Sequence, residues 1–153
     1  MKGRVREKPL PVIGWREWVG LPGLHIKRIK AKVDTGARTS SLHAYDIEII
    51  RRGAKEFVRF KVHPVQRQSH TSVRCEVPLH DERWVKSSNG KRELRPVIRT
   101  NLHFNRRLWL IDITLTSRDL MGFRMLLGRE AIRGRFTVDP GRSFVIRELV
   151  RKQ

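Results

Sequence analysis

Apolar residues recur mainly at every second position along the chain, a period that is typical of β-strands with one buried face. In residues 25–33, Ile26, Ile29, Ala31 and Val33 are interleaved with basic residues. This segment ends at an Asp-Thr-Gly sequence, which is typical of a turn. Similar patterns predict further strands at residues 57–65, 72–77, 109–115, 125–127, 136–138 and 143–146.

The last two of these strands flank Asp139-Pro140-Gly141-Arg142, a typical turn sequence, so we expect them to pair as a hairpin. Helical periodicity is scarce along the chain. It predicts one short helix at residues 129–133 and a further helical turn near residues 15–19. The pattern as a whole indicates an all-β domain.

A second hairpin is predicted around Asn89-Gly90, a dipeptide that favours a two-residue type I′ turn. The register of that turn places these residues opposite each other: Lys86 and Glu93, Val85 and Leu94, Trp84 and Arg95. Two interpretations remain open, a structural hairpin or a mobile flap over a site. In the second, the polar tip Ser87-Ser88-Asn89-Gly90 could hydrogen-bond the backbone of a peptide.

The strongest chemical candidate is the segment Val33-Asp34-Thr35-Gly36-Ala37. An apolar strand here delivers a carboxylate to a tight turn, in which glycine adopts conformations that other residues reach only at a cost. The small side chain of Ala37 leaves space above the turn. Much later, Met125-Leu126-Leu127-Gly128-Arg129 forms a second apolar strand that ends at a glycine.

The order of these features, Asp-Thr-Gly, a glycine-tipped hairpin, then two apolar residues with Gly and Arg, resembles the retropepsin-like aspartic peptidases. Segments 12–18, 29–44, 95–98 and 123–129 are similar to a small bacterial and archaeal family often labelled ATP-dependent zinc proteases. Members of that family are linked with ATP-grasp ligases that add glutamate to a ribosomal protein. The resemblance implies a closed, retropepsin-like barrel with one short helix, and an aspartic endopeptidase acting on a peptide or protein.

The resemblance also implies roles for individual residues, with Asp34, Thr35 and Gly36 as the catalytic turn and Gly128 and Arg129 as its structural support. The residues expected to contact substrate are Ala37, Ser87, Ser88, Asn89 and Gly90. Aspartic peptidases need two carboxylates that share one proton, and this sequence contains a single Asp-Thr-Gly. We therefore expect a homodimer in which Asp34 of two subunits forms the dyad. Extra sequence at residues 45–83 departs from minimal retropepsins.

The zinc and ATP of the family label find no sequence motif here, because the chain has neither His-Glu-x-x-His nor a phosphate-binding Gly-rich loop ending in Gly-Lys-Ser/Thr. His63, His70, Cys75 and His80 form a loose cluster whose spacing is more often incidental. No metal and no cofactor are expected. A metal-dependent hydrolase remains the least favoured alternative.

Charge adds a binding alternative, since 34 Lys and Arg residues against 15 Asp and Glu residues give a net charge of +19. This charge predicts weak, non-specific and salt-sensitive binding to polyanions. The basic residues are spread along the chain, as they also are on solvated strand faces. The main rival to a peptidase is a non-catalytic binding module that holds an acidic peptide, a glutamylated tail or ribosomal RNA.

The length of 153 residues fits one domain, expected at residues 12–149 between a flexible basic N-terminus at 1–11 and a tail at 150–153. The single cysteine, Cys75, cannot form an internal disulfide, which favours a reducing compartment. No signal-peptide pattern and no run of about 20 apolar residues is visible. We expect a cytoplasmic protein without a membrane span, with a glutamate ligase or a ribosomal protein as possible partners.

Overall fold

The computed structural model describes residues 8–64, 72–87 and 89–147. Within these ranges the chain is mostly β-structure, with one short α-helix, α1 (Arg129–Ile132), and one 3-10 helix (Pro22–Leu24). The strands are β1 (Val12–Ile13), β2 (Arg16–Leu21), β3 (Ile26–Asp34), β4 (Ser40–His43), β5 (Tyr45–Arg52), β6 (Lys55–Val62), β7 (Val73–Pro78), β8 (Asp81–Lys86), β9 (Arg92–Phe104), β10 (Arg107–Thr116), β11 (Met125–Gly128) and β12 (Thr137–Val138). The predicted β-rich fold with a short helix after Gly128 is confirmed.

Seven strands form the main sheet in the order β10-β4-β11-β3-β2-β9-β8. Strand β9 also pairs with β10, so the pairings return to the strand from which they began. Strands β5, β6 and β7 form a separate antiparallel sheet, and β1 pairs in parallel with β12. Among the described helices, none is long and apolar enough to cross a membrane.

The core lies between the inward faces of these strands. In β3, the buried Ile29, Ala31 and Val33 alternate with side chains that point outward, as the period of two requires. Phe60 of β6 and Cys75 of β7 belong to the same hydrophobic cluster. Within the extra segment at residues 45–83, strands β6 and β7 are therefore packed onto the main core.

The helical turn predicted near residues 15–19 is wrong, because these residues belong largely to β2. The error comes from Glu17, a charged residue that is fully buried and so breaks the apolar pattern of the inward face. Its carboxylate accepts hydrogen bonds from the backbone N–H groups of Gly14, Val145 and Ile146, at 2.7, 2.9 and 3.1 Å. Burial of this polar group is thus offset by three donors.

The hairpin predicted from residues 136–138 and 143–146 is also wrong. The first segment contributes β12, which pairs with β1 through Val12 and Thr137 rather than with residues 143–146. The second segment is not a strand. Two of its N–H groups donate to the Glu17 carboxylate, which takes the place of a strand partner.

The hairpin of β8 and β9 exists, but the predicted register is wrong by one residue. Val85 lies opposite Glu93 and Trp84 lies opposite Leu94. The loop is longer than a two-residue type I′ turn, because the N–H of Ser87 donates to the carbonyl of Lys91 at 2.8 Å, and Gly90 adopts a positive φ of 83°. A turn closed by a left-handed glycine is the longer alternative, which shifts the pairing. Ser88 lies outside the described residues.

Candidate active site

Asp34 is the last residue of β3 and lies beside Gly128, its partner in the parallel pairing with β11. The Oδ1 atom of Asp34 accepts a hydrogen bond from the N–H of Gly36 at 3.1 Å. Its carbonyl oxygen accepts one from the N–H of Ala37 at 3.2 Å. The sequence Asp-Thr-Gly therefore folds as a tight turn that fixes the direction of a half-buried carboxylate.

The start of α1 holds the following residues in place. The N–H groups of Arg129 and Glu130 donate to the carbonyls of Ala37 and Arg38, at 2.7 and 3.1 Å. The guanidinium of Arg129 donates to the carbonyl of Thr35 at 3.1 Å. These contacts bring Arg129, predicted as structural support, against the turn of Asp34.

Gly128, the other predicted support, leaves no room for a side chain. A Cβ atom built at this position would lie 2.5 Å from the carbonyl carbon of Thr39 and 2.8 Å from the backbone nitrogen of Ser40. Its N–H donates to the hydroxyl of Ser40 at 3.0 Å. The close approach of two backbones here requires glycine.

A cleft of about 730 Å³ opens beside Asp34. Of the residues predicted to contact substrate, Ala37, Ser87 and Asn89 line this cleft together with Asp34. Gly90 is exposed at the hairpin tip and is not part of the lining. The structure thus brings the Asp34 turn and the hairpin of β8 and β9 to the same cavity.

Thr35 and Gly36 do not face the cleft. Both are exposed at the tip of the Asp34 turn. A second chain could therefore approach this tip without displacing a covering element of the described residues. Their predicted catalytic role stays a prediction.

The lining of the cleft contains more bases than acids, which no sequence pattern revealed, and four of its five bases also form ion pairs with carboxylates outside the lining. Two carboxylates, Asp34 and Asp119, face five cationic side chains, and these are Arg38, Arg83, Lys86, Arg95 and Arg118. Arg83 and Arg95 lie directly opposite each other in β8 and β9. Like charges in that position repel each other, and here each is offset by a carboxylate, Asp112 for Arg83 and Glu93 for Arg95.

Arg95 is almost fully buried, with 5% of the residue exposed. Its Nε donates to Glu93 at 2.9 Å and its Nη1 to the hydroxyl of Ser41 at 3.3 Å. The predicted register hid this residue, because it placed Arg95 opposite Trp84 and so in a cation–π pair. The position of Arg95 would have followed from the sequence if Gly90 had been taken as the closing residue of a loop longer than two residues.

Arg83 connects the hairpin to the main body of the molecule. Its guanidinium donates to the hydroxyl of Thr39 and to the carboxylate of Asp112, both at 3.1 Å. Desolvation raises the pKa of Asp112, but hydrogen bonds from Arg99 and Arg83 and the charges of Arg99 and His80 outweigh it and hold that pKa below its usual value. Asp112 therefore stays ionised and anchors the base of the hairpin.

His43 contacts Ser117 and Arg124, which flank the cleft-lining residues 119–121 on either side. Its Nδ1 lies 2.9 Å from Nη1 of Arg124, and its Nε2 lies 3.1 Å from the carbonyl of Ser117. An arginine can only donate, so Nδ1 accepts and Nε2 carries the proton. Burial is the main cause that lowers the pKa of His43, which is consistent with this neutral form.

The part of the chain that the structure describes contains no cluster of metal-ligating residues, because no three His, Cys, Asp or Glu residues are grouped around one point there. Cys75 lies in the core, its Sγ donating to the carbonyl of Leu24 at 3.7 Å. Burial raises the pKa of Cys75 to about 11, so its thiol is protonated. His70 of the loose cluster lies outside the described residues.

Comparison with known proteins adds family relationships. The chain is 48% identical over 138 residues to a probable alpha-L-glutamate ligase of Desulfotalea psychrophila, and 45% identical over 137 residues to one of Shewanella pealeana. These matches cover 90% of this chain and 30% of each relative. The chain therefore spans less than a third of the length of the curated relatives it matches.

A solved structure has the same fold. It is a protein of unknown function from Legionella pneumophila, with a TM-score of 0.72 and 29% sequence identity, covering 88% of this chain and 97% of that one. The family model for the retropepsin-like aspartic endopeptidase RimB matches residues 12–148. This chain belongs to the RimB-like family of retropepsin-like aspartic endopeptidases.

Proposed function

We propose that the chain is an aspartic endopeptidase in which Asp34 of two subunits forms the catalytic dyad. The observation that carries this proposal is the position of Asp34, a carboxylate held in a tight turn at the edge of a cleft whose far side is the hairpin of β8 and β9. Family membership supports the same chemistry. We also propose that the ring of strand pairings closes into a retropepsin-like barrel.

The reaction needs two carboxylates about 3 Å apart that share one proton. The ionised carboxylate takes a proton from water, whose oxygen attacks the peptide carbonyl carbon, while the protonated partner gives its proton to the carbonyl oxygen. Collapse of the tetrahedral intermediate breaks the C–N bond, and the departing nitrogen takes up a proton from the dyad. No carboxylate of the described residues makes a hydrogen bond with Asp34.

A twofold axis near the tip of the turn would supply the second carboxylate. Thr35 and Gly36 are exposed there, so a second copy could place its own turn against them. Asp119 is the alternative source, because it is exposed in the same cleft within one chain. Its carboxylate accepts a hydrogen bond from the N–H of Gly122, a contact that holds it in its own turn.

The basic lining of the cleft favours an acidic peptide as the substrate. Glutamylated proteins have this chemistry, and the relatives in two bacteria are named probable alpha-L-glutamate ligases. We propose that an ATP-grasp glutamate ligase is a functional partner and that a glutamylated protein, such as a ribosomal protein, is a substrate. All of these would meet in the cytoplasm.

A non-catalytic binding module is the second candidate, and the excess of bases over acids in the cleft lining is the observation that favours it. Such a module would hold an acidic peptide in the same cleft without a dyad. The two candidates differ in what Asp34 does, because a binding module for an acidic peptide has no need of a carboxylate among the bases of the cleft.

The test uses Asp34→Asn, with Asp46→Asn as the matched control. Asp46 is an exposed carboxylate on β5 that pairs with Lys61 and has a positive φ of 52°, which asparagine tolerates well. Cleavage of an acidic peptide should fall by at least about a thousandfold in the first variant, since loss of a catalytic group costs several kcal/mol of barrier, and stay unchanged in the second.

Full activity of Asp34→Asn at an unchanged melting temperature would remove the peptidase proposal. Binding without cleavage by the unmodified chain would favour the binding module. A hydroxyl-bearing transition-state mimic should inhibit the peptidase. Loss of activity with a chelator, restored by added zinc, would instead favour a metal-dependent hydrolase.

A further inference from the structure

The outward face of β3 carries a row of cations that leads to the cleft. Arg28, Lys30 and Lys32 lie at alternate positions, and Asp34 follows at the next. We call Arg28, Lys30 and Lys32 the basic row. Alternate residues of a strand are about 6.6 Å apart, so the row and Asp34 span about 20 Å along one line.

Aromatic rings hold two of these cations in place. The guanidinium of Arg28 lies 4.0 Å from the ring centre of Trp18, and the ammonium of Lys30 lies 5.5 Å from that of Phe123. Arg16 of the adjacent strand is held in the same way over Trp15, at 4.7 Å. A cation on a ring keeps its N–H groups free for an anion and loses less conformational entropy when it binds one.

The basic row has no acidic partners among the described residues, where every ion pair involves other cations. Arg16 even lies directly opposite Lys32 across the ladder of β2 and β3. Like charges in that position repel each other, and neither Arg16 nor Lys32 forms an ion pair with a carboxylate of the described residues. An external anion would relieve it.

The basic row is continuous with the cleft. The ammonium of Lys32 lies 3.8 Å from the sulfur of Met121, and Leu126 lies beside Lys32 in the pairing of β11 with β3. Met121 and Leu126 both line the cleft, as does Asp34. A chain that leaves the cleft past Met121 therefore reaches Lys32 first, then Lys30 and Arg28.

We propose that the basic row is an exosite, which binds the part of an extended acidic peptide that lies outside the cleft. This inference rests on the proposed function for the identity of the substrate. In an extended peptide the side chains on one side recur about every 6.6 Å, which equals the spacing of the row. A run of acidic residues could therefore pair with all three cations at once.

Single-stranded RNA fits the same surface less well. Base recognition on such a surface needs free aromatic faces for stacking. Trp18 is already in contact with Arg28 and stacked on Phe144, at 5.9 Å between ring centres, and Phe123 packs against Trp15 at 6.0 Å. The faces of these rings are therefore occupied, whereas the cations that they contact have no anionic partner among the described residues.

The test measures binding of glutamate oligomers to the full chain carrying Asp34→Asn, so that cleavage plays no part. One oligomer has about four residues, too short to leave the cleft, and the other has about sixteen, long enough to cover a 20 Å row. Arg28→Glu with Lys30→Glu removes two members of the row. The control, Lys55→Glu with Arg74→Glu, makes the same change of charge at exposed positions of the three-stranded sheet.

The long oligomer should bind at least about tenfold more weakly to the row variant, and within about twofold of the parent to the control. The short oligomer should bind all three proteins alike. Equal losses in both double variants would overturn the exosite, because only total charge would then matter. The exosite would also be overturned if the short oligomer lost as much affinity as the long one.

Tighter, row-dependent binding of a single-stranded RNA of equal length would assign the surface to RNA and overturn the proposal. Arg28→Gln with Lys30→Gln, which adds no negative charge, decides the matter if the glutamate variant does not fold. These outcomes are separate from the proposed function. Lack of cleavage by the unmodified chain would refute the peptidase and leave the binding comparison intact.

Discussion

Around Asp34, the residue that constrains the backbone most is a glycine. Gly128 faces Thr39 and Ser40 so closely that a methyl group would lie 2.5 Å from a backbone carbon, where no flexible side chain can move aside. Its importance was predictable from its place at the end of an apolar strand. The facing backbone was not predictable, because that contact joins positions 88 residues apart.

We expect Gly128→Ala to destabilise the protein by about 1–3 kcal/mol, the usual cost of overpacking. The matched control is Gly141→Ala, where a Cβ would meet its nearest neighbour, the carboxylate of Asp139, at an ordinary 3.4 Å. Thermal unfolding measures both. A melting temperature of Gly128→Ala equal to that of the control would contradict the close approach of the two backbones.

His43 predicts a loss of stability in mild acid. Its pKa is lowered in the folded protein, so the unfolded chain binds a proton more readily than the folded one. The free energy of unfolding should therefore be fully retained above about pH 6.5, the ordinary value for histidine, and decrease as the pH falls below it. A protonated Nδ1 would also face the guanidinium of Arg124, which can only donate.

Denaturant unfolding at pH 7.5 and pH 5 checks this, with His43→Gln compared against His25→Asn. His25 is exposed and has a positive φ of 58°, which suits asparagine. The His43 variant should show a smaller loss between the two pH values than the parent, while the His25 variant should match the parent. Identical pH dependence in all three proteins would refute the role of His43.

At the scale of elements, β3 was predictable and its neighbours were less so. Alternation of apolar and basic residues, interrupted once at Lys27-Arg28, gave β3 within one residue at each end. β2 was missed because buried Glu17 finds its donors in segments near residues 14 and 145, which no local pattern reveals. The hairpin existed as predicted, yet a loop closed by Gly90 moved its register by one residue.

That register decides what the hairpin does, because it directs Arg83 and Arg95 to the cleft. We expect Arg83→Met, which keeps most of the side-chain volume, to loosen β8 by removing the donors to Thr39 and Asp112. Hydrogen exchange of β8 amides should become faster and the KM for an acidic peptide should rise. The destabilisation should be about 1–3 kcal/mol, as for hydrogen bonds to charged groups.

Arg92→Met on the same hairpin is the control, since Arg92 is exposed and contacts only the ring of Trp84, at 5.5 Å, in the described structure. Exchange in β8 that is equally fast in both variants would show that Arg83 is not the anchor. Unchanged exchange in Arg83→Met would show the same.

At the scale of the whole molecule, the structure shows where part of the net charge of +19 lies. Sequence alone spread the basic residues evenly, and the fold gathers some of them into the cleft and the basic row. The expected number of subunits in the catalytic unit, in contrast, came from the sequence. One Asp-Thr-Gly in the sequence led us to expect a second chain, because the dyad that we propose needs two carboxylates.

The central claim, that Asp34 of two subunits forms one dyad, is tested most directly by mixing subunits. Unmodified chain and Asp34→Asn chain are combined at fixed total concentration, allowed to exchange, and assayed on an acidic peptide. If both carboxylates of a dimer are required, activity follows the square of the unmodified fraction and falls to about one quarter at equal amounts. A fall to only about one half, at every ratio in proportion to the unmodified chain, would contradict the shared dyad and place the second carboxylate within one chain.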